Sequence, residues 1–233
     1  MRTSITAIAM LIAQVMAVGQ QTSTFTVKAG ESIADVLGQE AIFRFPAFLQ
    51  GNVIYSDGTY TETLMNYNKV LGEMQFINGK GDTVIIANPE AISQIDFPED
   101  TFYVSDGYLE QIIGDENVML VVRNYVKLMD VKNQGAYGMS STANVDNYTS
   151  VSAGSNTSTY QLKSNQDMVY SMETDYFFGN EASDFFQARR NALLKNFPEY
   201  KSEIKDYIKK ESINFNRSPD LVRLTEYVSD LAK

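Results

Sequence analysis

Three residue types that carry much of enzyme chemistry are absent or nearly so, since the 233 residues include no cysteine, no histidine and no tryptophan. Without cysteine, the chain can form no disulfide, no thiolate metal site and no catalytic thiol. Without histidine, it can form no Ser-His-Asp triad and no imidazole-dependent zinc or iron site. We therefore expect a non-enzymatic protein with no metal and no cofactor.

Positive charge is also scarce, with 19 Lys and Arg against 29 Asp and Glu, so the net charge is −10. An acidic surface repels the phosphates of nucleic acids and anionic lipid surfaces. The composition thus predicts no nucleic-acid partner.

The first 19 residues have the composition of a secretory signal peptide. Arg2 is their only charged residue, an apolar run follows from Ile5 to Val18, and small residues close the run at Gly19. A membrane anchor is the alternative, but the run is short for a span and lacks a basic flank. We predict that residues 1–19 are removed, that the mature chain begins at Gln20, and that it has no transmembrane segment.

Short apolar runs alternate with glycine-containing turns between residues 43 and 130. The turn at Asp57-Gly58 and the turn at Asp106-Gly107 are typical of hairpins, because both residue types tolerate a positive φ. The most apolar run, Val118–Met129, closes the series. The pattern predicts a continuous antiparallel β-meander of about seven to ten strands, curled into a half-barrel or roll because an open twisted sheet must cover one face.

A long polar loop interrupts this pattern at residues 133–157, which are rich in Ser, Thr, Asn and Gly. Loops displayed on a β-scaffold are common binding sites, and the large side chains here are candidates for contacts. The candidate binding residues are Tyr137, Met139 and Tyr148. Strand-like segments at Thr159–Leu162 and Met168–Met172 should return to the sheet beside residues 118–129.

The last fifty residues are predicted to be helical. Apolar residues recur at helical spacing in Glu181–Phe197 and from Tyr200 to Lys210, and Ser218-Pro219-Asp220 is a helix-start signal. The fold class is therefore α+β. Residues 20–180 should form the β domain, with residues 181–233 as a three-helix segment packed on it.

Carboxylates offer the remaining catalytic chemistry. Asp96, Glu99 and Glu110 belong to an acidic cluster that could hold a glycosidase pair, although acids at turns are more often solvated. Ser202 and Lys205 form a Ser-x-x-Lys pattern on an amphipathic helix, without a glycine turn that could stabilise an oxyanion. A carboxylate-dependent glycan hydrolase is the enzymatic alternative.

Several short motifs together resemble an uncharacterised family of exported Bacteroidota envelope proteins. The motifs are Asn66-Tyr67-Asn68, Gly72–Phe76, Ala87-Asn88-Pro89, Gly135–Met139, Leu193–Pro198, Ile213–Phe215 and Asp220-Leu221. The resemblance covers nearly all of the mature chain and implies a periplasmic or outer-envelope location in a Gram-negative bacterium. It implies no activity, substrate or catalytic residue.

The sequence thus predicts an exported protein that binds or scaffolds in the cell envelope through a β-scaffold and the 133–157 loop. Its expected partner is another envelope protein, a glycan or a lipid. A periplasmic carrier that holds a lipid or glycan in the mouth of the curled sheet is the first alternative. The glycan hydrolase is the second.

Overall fold

The computed structural model describes residues 23–134, 140–142, 163, 165–180 and 184–233. The predicted signal peptide lies outside the described residues, and so do Tyr137, Met139 and Tyr148. Most of the predicted 133–157 loop and the segment Thr159–Leu162 lie outside them as well.

The described residues form twelve strands, five α-helices and one 3₁₀ turn at Pro89–Ala91. The strands are β1 (Ser23–Val27), β2 (Leu49–Tyr55), β3 (Tyr60–Asn68), β4 (Glu73–Ile77), β5 (Thr83–Ile85), β6 (Ile92–Asp96), β7 (Thr101–Ser105), β8 (Gly107–Gly114), β9 (Val118–Gln134), β10 (Ser140–Thr142), β11 (Asp167–Asn180) and β12 (Phe185–Gln187). The helices are α1 (Ile33–Val36), α2 (Gln39–Ile42), α3 (Arg190–Asn196), α4 (Lys201–Lys210) and α5 (Ser218–Leu231).

All of these strands belong to one antiparallel sheet with the order β1-β11-β9-β8-β7-β6-β2-β3-β4-β5, to which β10 and β12 add short pairings. The predicted mainly antiparallel sheet is therefore confirmed, and the sheet is open, with β1 and β5 at its edges. Pairing is sequential within β2–β5 and within β6–β9, but β6 returns to pair with β2. The continuous meander is thus broken once, and twelve strands exceed the expected number.

The longest strand pairing in the sheet joins β9 and β11, next to the edge strand β1. Their register runs from Lys132 opposite Asp167 to Val118 opposite Asn180, with one irregularity between Val169 and Tyr170. This pairing confirms the predicted return of the segment Met168–Met172 beside residues 118–129. The strand β1 then pairs with the outer edge of β11.

One face of β9, here called the inner face, carries Val118, Leu120, Val122, Asn124, Val126 and Leu128, because side chains alternate along a strand. Two separate layers cover its ends. At one end Val126 and Leu128 pack with residues of α1 and α2, including Ile33 and Ile42. At the other end Val118 and Leu120 pack against α3, α4 and α5. Neither layer includes Val122 or Asn124, which form the middle of the inner face.

The sheet bends over this inner face. The Tyr67 hydroxyl of β3 donates a hydrogen bond to the Asn124 carbonyl of β9 at 2.9 Å. Four strands separate β3 from β9 in the sheet order, so a flat sheet would place them about 24 Å apart. The side chain of a tyrosine cannot reach that far, and the strands must curve towards each other.

One sequence-based expectation about the C-terminal region is wrong in part. The segment predicted as one helix, Glu181–Phe197, contains the strand β12, and α3 begins only at Arg190. Phe186 lies opposite Phe178 of β11 in the pairing and contacts its ring, so strand pairing and aromatic packing outweigh the local helical spacing. Ser218 is the first residue of α5 and Arg217 is its N-cap, one residue earlier than predicted.

In the portion of the chain that is described, no helix has both the length and the apolar character required to span a membrane.

Candidate functional site

A cleft of about 420 Å³ lies at the middle of the inner face, beside Val122 and Asn124, and it is called the central cleft below. Its floor combines apolar side chains of β8 and β9 with polar side chains of β9 and β11. The lining residues are Arg44, Lys69, Glu110, Ile112, Val122, Asn124, Tyr125, Met172, Glu173, Thr174 and Tyr176. The pairing of β8 with β9 ends at Glu110 opposite Val122, so the cleft lies where these two strands separate.

Arg44 fixes one wall of the central cleft. Its Nε donates to Glu110 at 2.8 Å and its Nη2 donates to Asp100 at 2.9 Å. The Glu110 side chain is only 12% exposed, and this burial raises its carboxyl pKa although the bond from Arg44 acts in the opposite direction. The guanidinium therefore holds two carboxylates that would otherwise repel each other.

Lys69 forms the adjoining wall and has a different environment. Its Nζ donates to the Glu40 carbonyl at 2.7 Å, but it forms no ion pair with a carboxylate in the described part of the chain. Burial and the nearby Arg44 lower the pKa of its ammonium group. The remaining protons of Nζ are available to a molecule in the cleft.

Amide and hydroxyl groups supply the floor with neutral polar atoms. The Thr174 hydroxyl donates to Asn124 Oδ1 at 2.9 Å across β11 and β9. The same Asn124 accepts the Tyr67 hydroxyl at its main-chain carbonyl. The bond from Thr174 orients the Asn124 side chain in the cleft, where its amide nitrogen can donate to a bound acceptor.

A second set of polar groups lies behind the cleft, around β3, β4 and β8. Burial raises the pKa of both Tyr67 and Tyr108, and the Glu73 carboxylate adds to both shifts. The Tyr108 hydroxyl is buried and has no hydrogen-bond partner among the described residues. Burial also raises the carboxyl pKa of Glu73, which forms no ion pair with any described residue. Several polar groups whose burial is energetically unfavourable therefore lie close together beside the cleft.

The nominated carboxylates do not come together in one cleft. Phe102 lies opposite Glu110 in the β7–β8 pairing, and Thr101 lies opposite Asp96 in the β6–β7 pairing. Because neighbouring residues of a strand point to opposite faces, Asp96 and Glu110 lie on opposite faces of the sheet. Glu99 is exposed in the connection between β6 and β7.

The Ser-x-x-Lys pair lies on the solvent side of α4, where Ser202 and Lys205 are both exposed. The binding residues predicted from the polar loop, Tyr137, Met139 and Tyr148, lie outside the described residues. Within the described ranges, no three acidic side chains are grouped in a way that could hold a metal ion.

Sequence reasoning missed the residues that line the central cleft. Arg44, Lys69 and Asn124 come from three distant segments, and none belongs to a motif that marks a site. The available signal was the polar Asn124 at an inward position of the most apolar strand, where Val122 and Val126 flank it. A polar residue at such a position indicates either a buried hydrogen bond or a cavity.

Comparison of this chain with protein-family models, with curated proteins and with solved structures gives no match.

Proposed function

We propose that this chain is an exported, non-enzymatic binding protein of the bacterial cell envelope, and that it holds a polar ligand, such as a glycan, in the central cleft. The observation that supports this most is the composition of the cleft. An apolar floor with a few fixed polar groups at its margin is typical of small-molecule sites, and 420 Å³ is within their usual range of about 300–1,000 Å³.

The two covering layers support the proposal because they leave the cleft preformed. The layer of α1 and α2 ends beside Val126, and the layer of α3, α4 and α5 ends beside Leu120. The cleft between them therefore requires no rearrangement to receive a ligand. In this proposal the bent sheet is a half-barrel or roll that serves as a scaffold. A preformed site reduces the conformational entropy that binding costs.

A larger groove of about 520 Å³ lies over β2, β3 and β4 but is a weaker candidate. Its floor is formed by apolar residues such as Val53, Met65 and Phe76, and among the described residues Glu62 is the one charged residue lining it. Charged groups that can orient a polar ligand are instead concentrated in the central cleft.

Export and location enter the proposal from the sequence alone. The composition of residues 1–19 supports cleavage after Gly19 and delivery to the periplasm or the outer envelope of a Gram-negative bacterium. The 133–157 loop would then contact an envelope partner while the cleft holds the ligand. Asp96 and Glu110 lie on opposite faces of the sheet, so they cannot act together on one substrate. This placement supports a binding role over carboxylate-dependent hydrolysis.

Native mass spectrometry of the protein purified from the envelope fraction of its own host tests both parts of the proposal. We expect a chain that begins at Gln20 and carries a recurring bound mass. The substitution Ile112→Trp should remove that mass, because Ile112 is 38% exposed at the cleft and an indole there fills the space. Met129→Trp is the matched control, since Met129 is 49% exposed on β9 and does not line the cleft.

Two results would contradict the proposal. An unprocessed chain found only in the cytoplasm would refute export. A clean unliganded mass for the wild type, or a bound mass that survives Ile112→Trp, would refute binding in the cleft.

A further inference from the structure

The cationic side chains that line the central cleft are placed by a short backbone pairing. Phe43 and Asn68 form an antiparallel β-bridge, and Arg44 beside it donates its main-chain N–H to the Tyr67 carbonyl at 2.9 Å. Because side chains alternate along each segment, Arg44, Tyr67 and Lys69 lie on the same side of this bridge. That side faces β9, since the Tyr67 hydroxyl bonds a β9 carbonyl. Both cations are therefore directed towards the floor of the cleft.

We propose that the ligand of the central cleft carries a carboxylate, as a hexuronate sugar does, and that Lys69 and Asn124 bind this group. The inference rests on the proposed function and specifies the class of its ligand. A carboxylate accepts hydrogen bonds and carries a full negative charge, so its site needs a cation as well as neutral donors.

Lys69 supplies the cation, because its charge is not matched within the described chain. Arg44 is already bound by two carboxylates, those of Asp100 and Glu110. Among the described residues Lys69 forms no ion pair, and Glu40 offers its Nζ a main-chain carbonyl at 2.7 Å. A partly buried ammonium group without a counter-ion has lost hydration that such a neutral acceptor replaces incompletely. A ligand carboxylate would supply the missing interaction.

Asn124 supplies neutral donors for the same group. Its Oδ1 accepts the hydroxyl proton of Thr174, so the two protons of its amide nitrogen are left for other acceptors, and no hydrogen bond to a described residue uses them. Lys69 keeps two further protons on Nζ after its bond to the main chain. Together the two side chains offer four protons, enough to satisfy both oxygens of a carboxylate.

The acidic residues of the chain do not oppose an acidic ligand at this position. Although the net charge is −10, physiological salt screens charges that lie more than about 8 Å apart, so the nearby groups decide. Glu173 also lines the cleft, but as the neighbour of Thr174 on β11 it points to the opposite face from Asn124. Glu110 shares the inner face, and its carboxylate is bound by Arg44. Neither acid therefore presents an uncompensated charge to the bound carboxylate.

The apolar part of the lining suits the ring of a sugar acid. Val122 lies opposite Tyr176 in the β9–β11 pairing, and Met172 lies on the same face of β11. Tyr176 is partly buried and packs against the cluster of the C-terminal helices, so its ring is held in place. The C–H face of a pyranose can lie on these side chains while its carboxylate reaches Lys69 and Asn124.

Calorimetric titration with glucuronate, galacturonate and mannuronate, each compared with its neutral amide, tests the inference. We expect at least one acid to bind about tenfold or more tightly than its amide, the range of a charge-assisted hydrogen bond, and its affinity to fall as salt is added. Lys69→Gln should remove this preference, whereas Lys69→Arg should keep it because the cation remains. Lys127→Gln is the matched control, since Lys127 lies on the opposite face of β9 and does not line the cleft.

The outcomes separate this inference from the proposed function. If the amides bind as tightly as the acids, if no uronate binds, or if the preference survives Lys69→Gln, the carboxylate ligand is refuted while the cleft remains a binding site. A preference that is lost equally in Lys69→Arg or in Lys127→Gln would refute the role of the Lys69 charge. A recurring bound mass without a carboxylate in the native spectrum would refute the ligand class. A protein that arrives without any bound mass would refute the proposed function itself.

Discussion

Two carboxylates beside the central cleft differ in whether a cationic side chain compensates for their burial. Glu110 receives a hydrogen bond from Arg44, which partly offsets its burial. Glu73 is partly buried without an ion pair to any described residue, and desolvation alone raises its carboxyl pKa. A group with a raised folded-state pKa favours folding when it is protonated, and this contribution is lost as pH rises through that pKa. Glu73 therefore destabilises the fold at neutral pH.

Glu73→Gln should consequently stabilise the protein. We expect a gain of up to about 1 kcal/mol at neutral pH, because the amide carries no charge and water already screens part of the carboxylate. The gain should vanish below the ordinary carboxyl pKa of 4.5, where Glu73 is protonated in both the folded and the unfolded state. Urea unfolding from acidic to neutral pH measures it. Glu62→Gln, an exposed acid on neighbouring β3, is the control, and an equal gain there would contradict the assignment.

A short polar contact ties helix α5 to the sheet, in addition to the packing of its apolar face. The Ser229 hydroxyl donates to Asp115 Oδ2 in the β8–β9 turn at 2.6 Å, and this bond is the main cause of the lowered Asp115 pKa. The apolar face, including Leu221, Leu224 and Val228, is fully buried. The contact therefore positions a helix that packing already holds.

Ser229→Ala should destabilise the protein by about 1 kcal/mol at neutral pH, the usual net value of such a hydrogen bond. A lowered carboxyl pKa contributes stability above its ordinary value of 3.8, and that stability is lost as pH falls through the folded-state value. The difference between wild type and variant should therefore shrink in acid. Urea unfolding of both proteins over this range measures it, with Ser202→Ala on the exposed face of α4 as control. A difference that does not change with pH would show that Asp115 is not the partner that matters.

Sequence reasoning succeeded for elements whose signals are local. The Asp57-Gly58 turn could be predicted because Gly58 adopts a φ of +82°, which few other residues tolerate. It failed where a distant strand decides the outcome: Phe185–Gln187 pairs with β11, and Ile92–Asp96 pairs with β2. The central cleft could not be predicted for the same reason, since Arg44, Lys69 and Asn124 meet only through the bend.

At the scale of the whole molecule, the bend of the sheet creates the binding site. The β8–β9 pairing ends at Val122, so beyond it the β8 side of β9 has no strand partner in the pairing described. The Asn124 carbonyl there accepts the hydroxyl of Tyr67 instead, and this bond joins two strands that are five positions apart in the sheet. The contact closes the bend directly beside the cleft.

Tyr67→Phe should loosen this closure while leaving the aromatic packing with Phe102 and Tyr108 in place. The loss of the bond leaves a carbonyl in a partly buried site, so we expect destabilisation of about 1–2 kcal/mol in urea unfolding. The affinity for the cleft ligand should fall as well, because Asn124 is both an anchor of the bend and a lining residue. Tyr60→Phe on the same strand is the matched control, since the Tyr60 side chain is 71% exposed and should contribute little. If Tyr67→Phe and Tyr60→Phe had equal effects, the bend would depend on apolar packing alone, and the hydrogen bond would have no part in shaping the site.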